Sequence, residues 1–149
     1  MPWVPLTIDD VATKITGPEL DAARSSAKAK NQPDPLPDII QSVIDTVRGY
    51  VLTCANNTVG PSGTIPSQLV ETALILVRTG ALNRLPVSSL HTDARMKEYD
   101  NAIARLKDVA ACRFTIEAPT EKGPEQTSAP GPSFTARSKQ YTRRDEDGI

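Results

Sequence analysis

The chain has 149 residues, 38% of them hydrophobic and only 4% aromatic, with 13 prolines and a formal net charge of −1, so one packed domain must share it with a part too polar to pack. It has no run of about 18 apolar residues able to span a membrane, and residues 1–30 lack the basic start and apolar run of a secretory signal. The near-neutral charge argues against a general nucleic-acid binder, which needs excess cations to neutralise phosphates.

Residues 1–6, Met-Pro-Trp-Val-Pro-Leu, read as an extended arm, because Pro2 and Pro5 fix φ and keep the preceding residues out of a helix. Thr7 is a good N-cap, and Asp9 and Asp10 sit where the helix dipole favours negative charge. Ile8, Val11, Ala12 and Ile15 then follow helical spacing, and Gly17 ends this short element. Pro18 suits the first turn of a second helix, capped by Thr16 or Gly17 and fading near Ala29.

Pro33, Pro35 and Pro37 make the next stretch a loop. An amphipathic helix is expected from about Asp38 to Ala55. Its stripe is Ile39, Ile40, Val43, Ile44, Val47, Tyr50, Val51 and Cys54, with Gln41, Asp45 and Arg48 on the opposite face. Asn56, Asn57, Gly60, Pro61 and Gly63 mark a long turn. A fourth helix should start near Pro66 or Ser67 and end near Gly80. Leu69, Val70, Ala73, Leu74, Leu76 and Val77 cover most of its circumference, which places it centrally. A fifth runs from about Thr92 to Ala111, with Tyr99, Ala102, Ile103, Leu106, Val109 and Ala110 as its core face and Arg95, Lys97, Asp100 and Lys107 solvated.

Arg113-Phe114-Thr115-Ile116 alternates and is expected to form a short strand after the last helix. From Pro119 the periodicity ends, and residues 119–149 are too polar to offset their ordering entropy, so this tail is expected to be disordered unless bound. The fold class is therefore all-α: a small bundle of four to five helices over residues 7–118, an arm in front and a long extended tail behind. No internal repeat is present.

Catalytic patterns find little support. His91 is the only histidine, and a zinc site with Cys54 and Cys112 lacks the paired-ligand spacing of such sites. Cys54 reads as a small buried hydrophobe, Cys112 as a helix-end residue, and His91 as a loop residue. Two cysteines make no disulfide framework, and reduced thiols are the expectation. Nothing local joins a cysteine to a histidine for nucleophilic catalysis. Ser88 and Ser89 beside His91 form no nucleophile motif; Asp9-Asp10 is explained by the helix start, and Asp145-Glu146-Asp147 by solvation at the chain end. Gly60-Pro61-Ser62-Gly63 lacks the lysine of a phosphate loop. No catalytic residue, metal or cofactor is expected.

The tail interleaves aromatic and basic residues: Phe134, Arg137, Lys139, Tyr141, Arg143 and Arg144. Such a segment can anchor in a groove on another protein, stack with single-stranded nucleic acid, or remain solvated. Trp3 is either a cover over the core or an anchor in a neighbour.

Over residues 7–118 the order of features resembles the Mu-like family of tailed-phage neck proteins, the helical head-to-tail adaptors. The likeness is carried by Thr7-Ile8-Asp9-Asp10-Val11 and by Asp45-Thr46-Val47-Arg48-Gly49-Tyr50-Val51, similar to the family's Asp … Gly-Tyr-Leu helix end. The closest part is Tyr99-Asp100-Asn101-Ala102-Ile103-Ala104-Arg105-Leu106-Lys107-Asp108-Val109-Ala110-Ala111. The resemblance implies a virion protein, made in the host cytoplasm and built into the neck as a ring, usually dodecameric, under the portal. Such a ring extends the DNA channel without binding DNA specifically and receives a stopper or tail-terminator protein. It also implies that a terminal segment clamps the portal or a neighbouring copy, with Trp3, Phe134, Arg137, Lys139, Tyr141, Arg143 and Arg144 as the docking residues. The competing expectations are a small regulatory or nucleic-acid-binding helical protein, and a tail-completion protein lower in the neck.

Overall fold

The computed structural model describes residues 3–86 and 88–121. Helices dominate. Strand β1 (Trp3–Pro5) leads into α1 (Ile8–Ala12) and α2 (Gly17–Ala29), then α3 (Leu36–Thr53). Strand β2 (Thr64–Pro66) and a single 3₁₀ turn (Ser67–Leu69) precede α4 (Val70–Leu82), and α5 (Asp93–Ala110) completes the fold.

The helix starts follow local chemistry. Thr7 and Asp10 form a reciprocal capping box on α1, Thr16 and Glu19 do the same on α2, and Thr92 accepts from the Arg95 N–H at the start of α5. Helix α3 begins at Leu36 rather than Asp38, because Pro37 falls in its first turn, where no intrahelical N–H is required. Helix α4 continues past Gly80 to Leu82. Gly80 instead lets α3 come close: a Cβ there would lie 3.1 Å from Ile39 Cγ2.

Helices α3, α4 and α5 pack against one another pairwise, with α1 and α2 laid against α4. Val47, Val51, Leu69, Val77, Leu106 and Val109 are fully buried between them. As expected, α4 is the central helix, with apolar contacts around most of its circumference.

Four expectations are corrected. The arm is folded back: β1 pairs antiparallel with β2, placing Trp3 opposite Pro66 and Val4 opposite Ile65. Residues 113–116 form no strand. Their backbone closes α5 instead, with the N–H groups of Arg113 and Phe114 both donating to the Asp108 carbonyl. The two cysteines are joined as a disulfide, Cys54–Cys112, with Cα atoms 5.4 Å apart. This bridge brings the C-terminal ends of α3 and α5 together, so the two helices run parallel with α4 antiparallel between them. It cross-links positions 58 residues apart, a constraint worth about 4 kcal/mol in the chain-entropy picture.

The fourth correction concerns Arg48, which is buried and not solvated. Its guanidinium donates to the carbonyls of Pro61 (2.8 Å), Thr64 (2.7 Å) and Gly60 (3.0 Å). Trp3 lies on the same loop, its ring centroid 5.7 Å from the guanidinium carbon. A Cβ on Gly60 would sit 2.6 Å from Trp3 Cδ2, so only glycine admits the indole here.

Arg48→Met keeps the aliphatic stem and leaves three carbonyls without their cation; a loss of about 3 kcal/mol in urea denaturation is expected. Gly60→Ala should cost about 1–3 kcal/mol by crowding Trp3. Changes within about 0.5 kcal/mol, the range of an ordinary surface substitution, would contradict both assignments.

Candidate functional site

The two ends of the described chain meet at one pole of the bundle. Trp3 Nε1 donates to the Glu117 carbonyl at 3.1 Å, and the Glu117 N–H donates to Gln68 Oε1 at 3.3 Å. Between them the segment after α5 lies along the body as a strap. Ile116 is buried in the core, and Phe114 packs under the Arg105 guanidinium, 4.8 Å from its ring centroid. The Cys54–Cys112 bridge fixes the start of this strap. Every part of the pole is held by a different element: β1 supplies Trp3, the 3₁₀ turn supplies Gln68, and α3 and α5 supply the bridge.

Trp3 is therefore the cover over the core and not an exposed anchor: it retains 8% of its accessible surface. The other expected docking residues, Phe134, Arg137, Lys139, Tyr141, Arg143 and Arg144, lie outside the described residues, as does Asp145-Glu146-Asp147. The bridge removes Cys54 and Cys112 from any thiolate chemistry while it is intact, and His91 is exposed. Among the described residues no three His, Cys, Asp or Glu side chains are grouped to hold a metal.

A second feature was not legible in the sequence. A cleft of about 320 Å³ opens between the end of α4 and the first half of α5, walled by Leu82, Leu90, Met96 and Tyr99. It continues through Thr79, Asn83 and Tyr99 into a shallower groove of about 200 Å³ against Val43 and Ile103. Met96 and Tyr99 are 56% and 37% exposed, so Tyr99 is a groove wall and not the core residue its spacing suggests. The facing residues of α4, Thr79 and Gly80, are too small to fill the space.

Charged side chains brace the helices around this groove. Arg78 is buried and paired with Glu98, and Arg95, expected to be solvated, is half-buried and bonded to Glu19 at 2.8 Å. Lys14 and Glu71 join the end of α1 to the start of α4. The Arg78 guanidinium holds the Glu98 carboxyl below its ordinary value. Burial pushes Glu19 upward, but hydrogen bonds from Arg95 and Thr16, with the Arg95 charge, outweigh it and leave the group lowered. The Thr7 hydroxyl and N–H lower Asp10, whose carboxylate closes the capping box at the start of α1.

All three carboxyls have folded values below their unfolded ones. Their contribution is complete above the usual carboxylate range and is lost as the pH falls through the folded values. Stability should be flat near neutrality and decline below about pH 4.5, and Glu98→Gln should flatten that decline. Urea midpoints across the acid range check this; parallel profiles for the two proteins would refute the role given to Glu98. Comparison of the chain with protein-family models, curated proteins and solved structures found no match.

Proposed function

We propose that the protein is a structural head-to-tail adaptor of a tailed-phage neck: a ring subunit that docks under the portal, extends the DNA channel and receives the tail or a stopper protein. It carries out no reaction in this reading. The likeness behind it spans residues 7–118, and its closest part, Tyr99 to Ala111, runs through α5 to its C-cap at the strap.

One observation carries the proposal. Both ends of the described chain are gathered at a single pole by the Trp3–Glu117 and Glu117–Gln68 bonds, so the strap is held at a defined place as far as Glu117. The apolar groove lies along α4 and the first half of α5, away from that pole. A ring repeats one heterologous contact by rotation and therefore needs two different faces on each subunit. A small helical body offers little area by itself. A tail bearing Phe134, Arg137, Lys139, Tyr141, Arg143 and Arg144 adds aromatic and arginine contacts and raises the effective concentration of each docking event. The formal charge of −1 suits a channel through which DNA must slide, since strong phosphate attraction would retard it.

Coexpressed with the portal protein of the same phage, the full chain is expected to form a defined ring complex visible by negative-stain microscopy. Removing residues 119–149 should weaken docking at least about tenfold, the loss expected when one arm of a multivalent contact is deleted. Undiminished docking by the truncated chain would remove the tail's role, and no complex with the full chain would remove the adaptor reading. A gel shift with single-stranded DNA at physiological salt would favour the nucleic-acid-binding alternative.

A further inference from the structure

The bridge at the tail-bearing pole occupies an unusual backbone position. Helix α5 is capped by Ala111, and Cys112, the next residue, has φ +59°. That place at a helix C-terminus normally belongs to glycine, because a side chain is disfavoured in the left-handed region. Among the described residues the other non-glycine with positive φ is Asn31, a type that tolerates it. Cys112 lacks that tolerance. What it has instead is a sulfur bonded to Cys54 at the end of α3.

The two cysteines differ in access. Cys54 is 2% exposed within the body, while Cys112 is exposed at its edge. Directly after Cys112 comes the strap, whose remaining attachments are the Arg113 and Phe114 N–H groups and the exposed Arg113 guanidinium on Asp108, the buried Ile116, Phe114 against Arg105, and the bonds of Glu117 to Trp3 and Gln68. Of the strap's own side chains only Ile116 is buried, and short segments with little buried apolar contact open locally at low cost.

We propose that Cys54–Cys112 is a thiol–disulfide latch on the strap, so that its oxidation state decides whether residues 113–117 stay docked at the Trp3 pole or are released from it. A small-molecule disulfide such as glutathione disulfide closes the latch. The exposed Cys112 thiolate attacks one of its sulfurs, forms a mixed disulfide and expels one glutathione thiolate. The Cys54 thiolate then attacks Cys112 Sγ and expels the second. The two protein thiols give up two electrons and two protons, and one glutathione disulfide becomes two glutathione thiols. A dithiol reverses both steps. With the latch open, the ends of α3 and α5 are no longer tied, and nothing covalent holds residue 112 in its left-handed conformation. The latch is independent of what the tail binds, so it stands or falls separately from the adaptor reading.

The test uses the full chain, oxidised with glutathione disulfide and reduced with dithiothreitol. Amide exchange is followed by mass spectrometry, and Trp3, the only tryptophan, reports by fluorescence. Reduction is expected to speed exchange of residues 113–117 at least about tenfold and to shift Trp3 emission to the red, with α4 amides changed by less than about twofold. Cys112→Gly keeps the left-handed position but removes the latch, and should show fast strap exchange with or without reductant. Equal strap protection in both states would overturn the proposal. So would acceleration spread evenly over α3, α4 and α5, or slow strap exchange in Cys112→Gly. Two titratable thiols remaining after glutathione disulfide treatment would also overturn it.

Discussion

The buried guanidinium of Arg48 is the contact on which the pole of this molecule depends. The loop between α3 and β2 turns its carbonyls inward, and Arg48 bonds those of Gly60, Pro61 and Thr64. Without a cation, the cluster would lose its shared donor and Pro61 would keep only its bonds from Thr64, and without the oxygens the guanidinium would be an uncompensated charge. Held together, they set the path of β2, and β2 provides the only described partner for β1. Trp3 then lies on Gly60 and supplies the indole N–H that catches Glu117. One side chain on α3 thus fixes a loop, a strand pair, the first described residue and, through it, the last segment before the tail.

The helices were legible because each rule that predicts them acts over a few residues. Capping at Thr7, Thr16 and Thr92 and the apolar stripe of α3 are local facts. The strand pair was not legible. Trp-Val-Pro and Thr-Ile-Pro are too short to show alternation, and both end in a residue that cannot donate to a ladder. Arg48 carried a signal that was misread. It stands four residues after Ile44 and three before Val51, both buried, which places it inside the apolar stripe. Arg78 repeats the pattern four residues after Leu74 on α4. A charge at a stripe position preceding a Gly-Pro loop is best read as a cation with carbonyl partners.

The disulfide was illegible for a different reason. Its cysteines are 58 residues apart, and only the parallel course of α3 and α5 brings them together. That course follows from tertiary packing about α4. Tyr99 was misplaced for a similar reason. Helical spacing gives the face of α5 on which it stands but not the size of what it meets, and on α4 it meets Thr79 and Gly80, which leave a groove. Periodicity identifies apolar faces; whether a face is filled depends on the volumes opposite.

The separation of the strap from the groove has a consequence for assembly. Helix α5 is 18 residues long, about 27 Å from end to end, with the groove against its first half and the strap starting at its C-cap. A molecule with its sticky segment and its receptive surface on one face would pair isologously and close as a dimer. In the proposed adaptor, displacing the two along a rigid helix would favour head-to-tail contacts that continue around a ring. Such contacts gain from multivalency only when the linking segment starts from a defined point, because effective concentration falls as the reach of the tether becomes less constrained. Anchoring the strap at Trp3, Gln68 and Cys54 shortens the tether to the residues beyond it. The covalent bridge and the Arg48 loop act on the same segment from its two ends: the bridge fixes where the strap begins, and the loop, through Trp3, fixes where Glu117 is held.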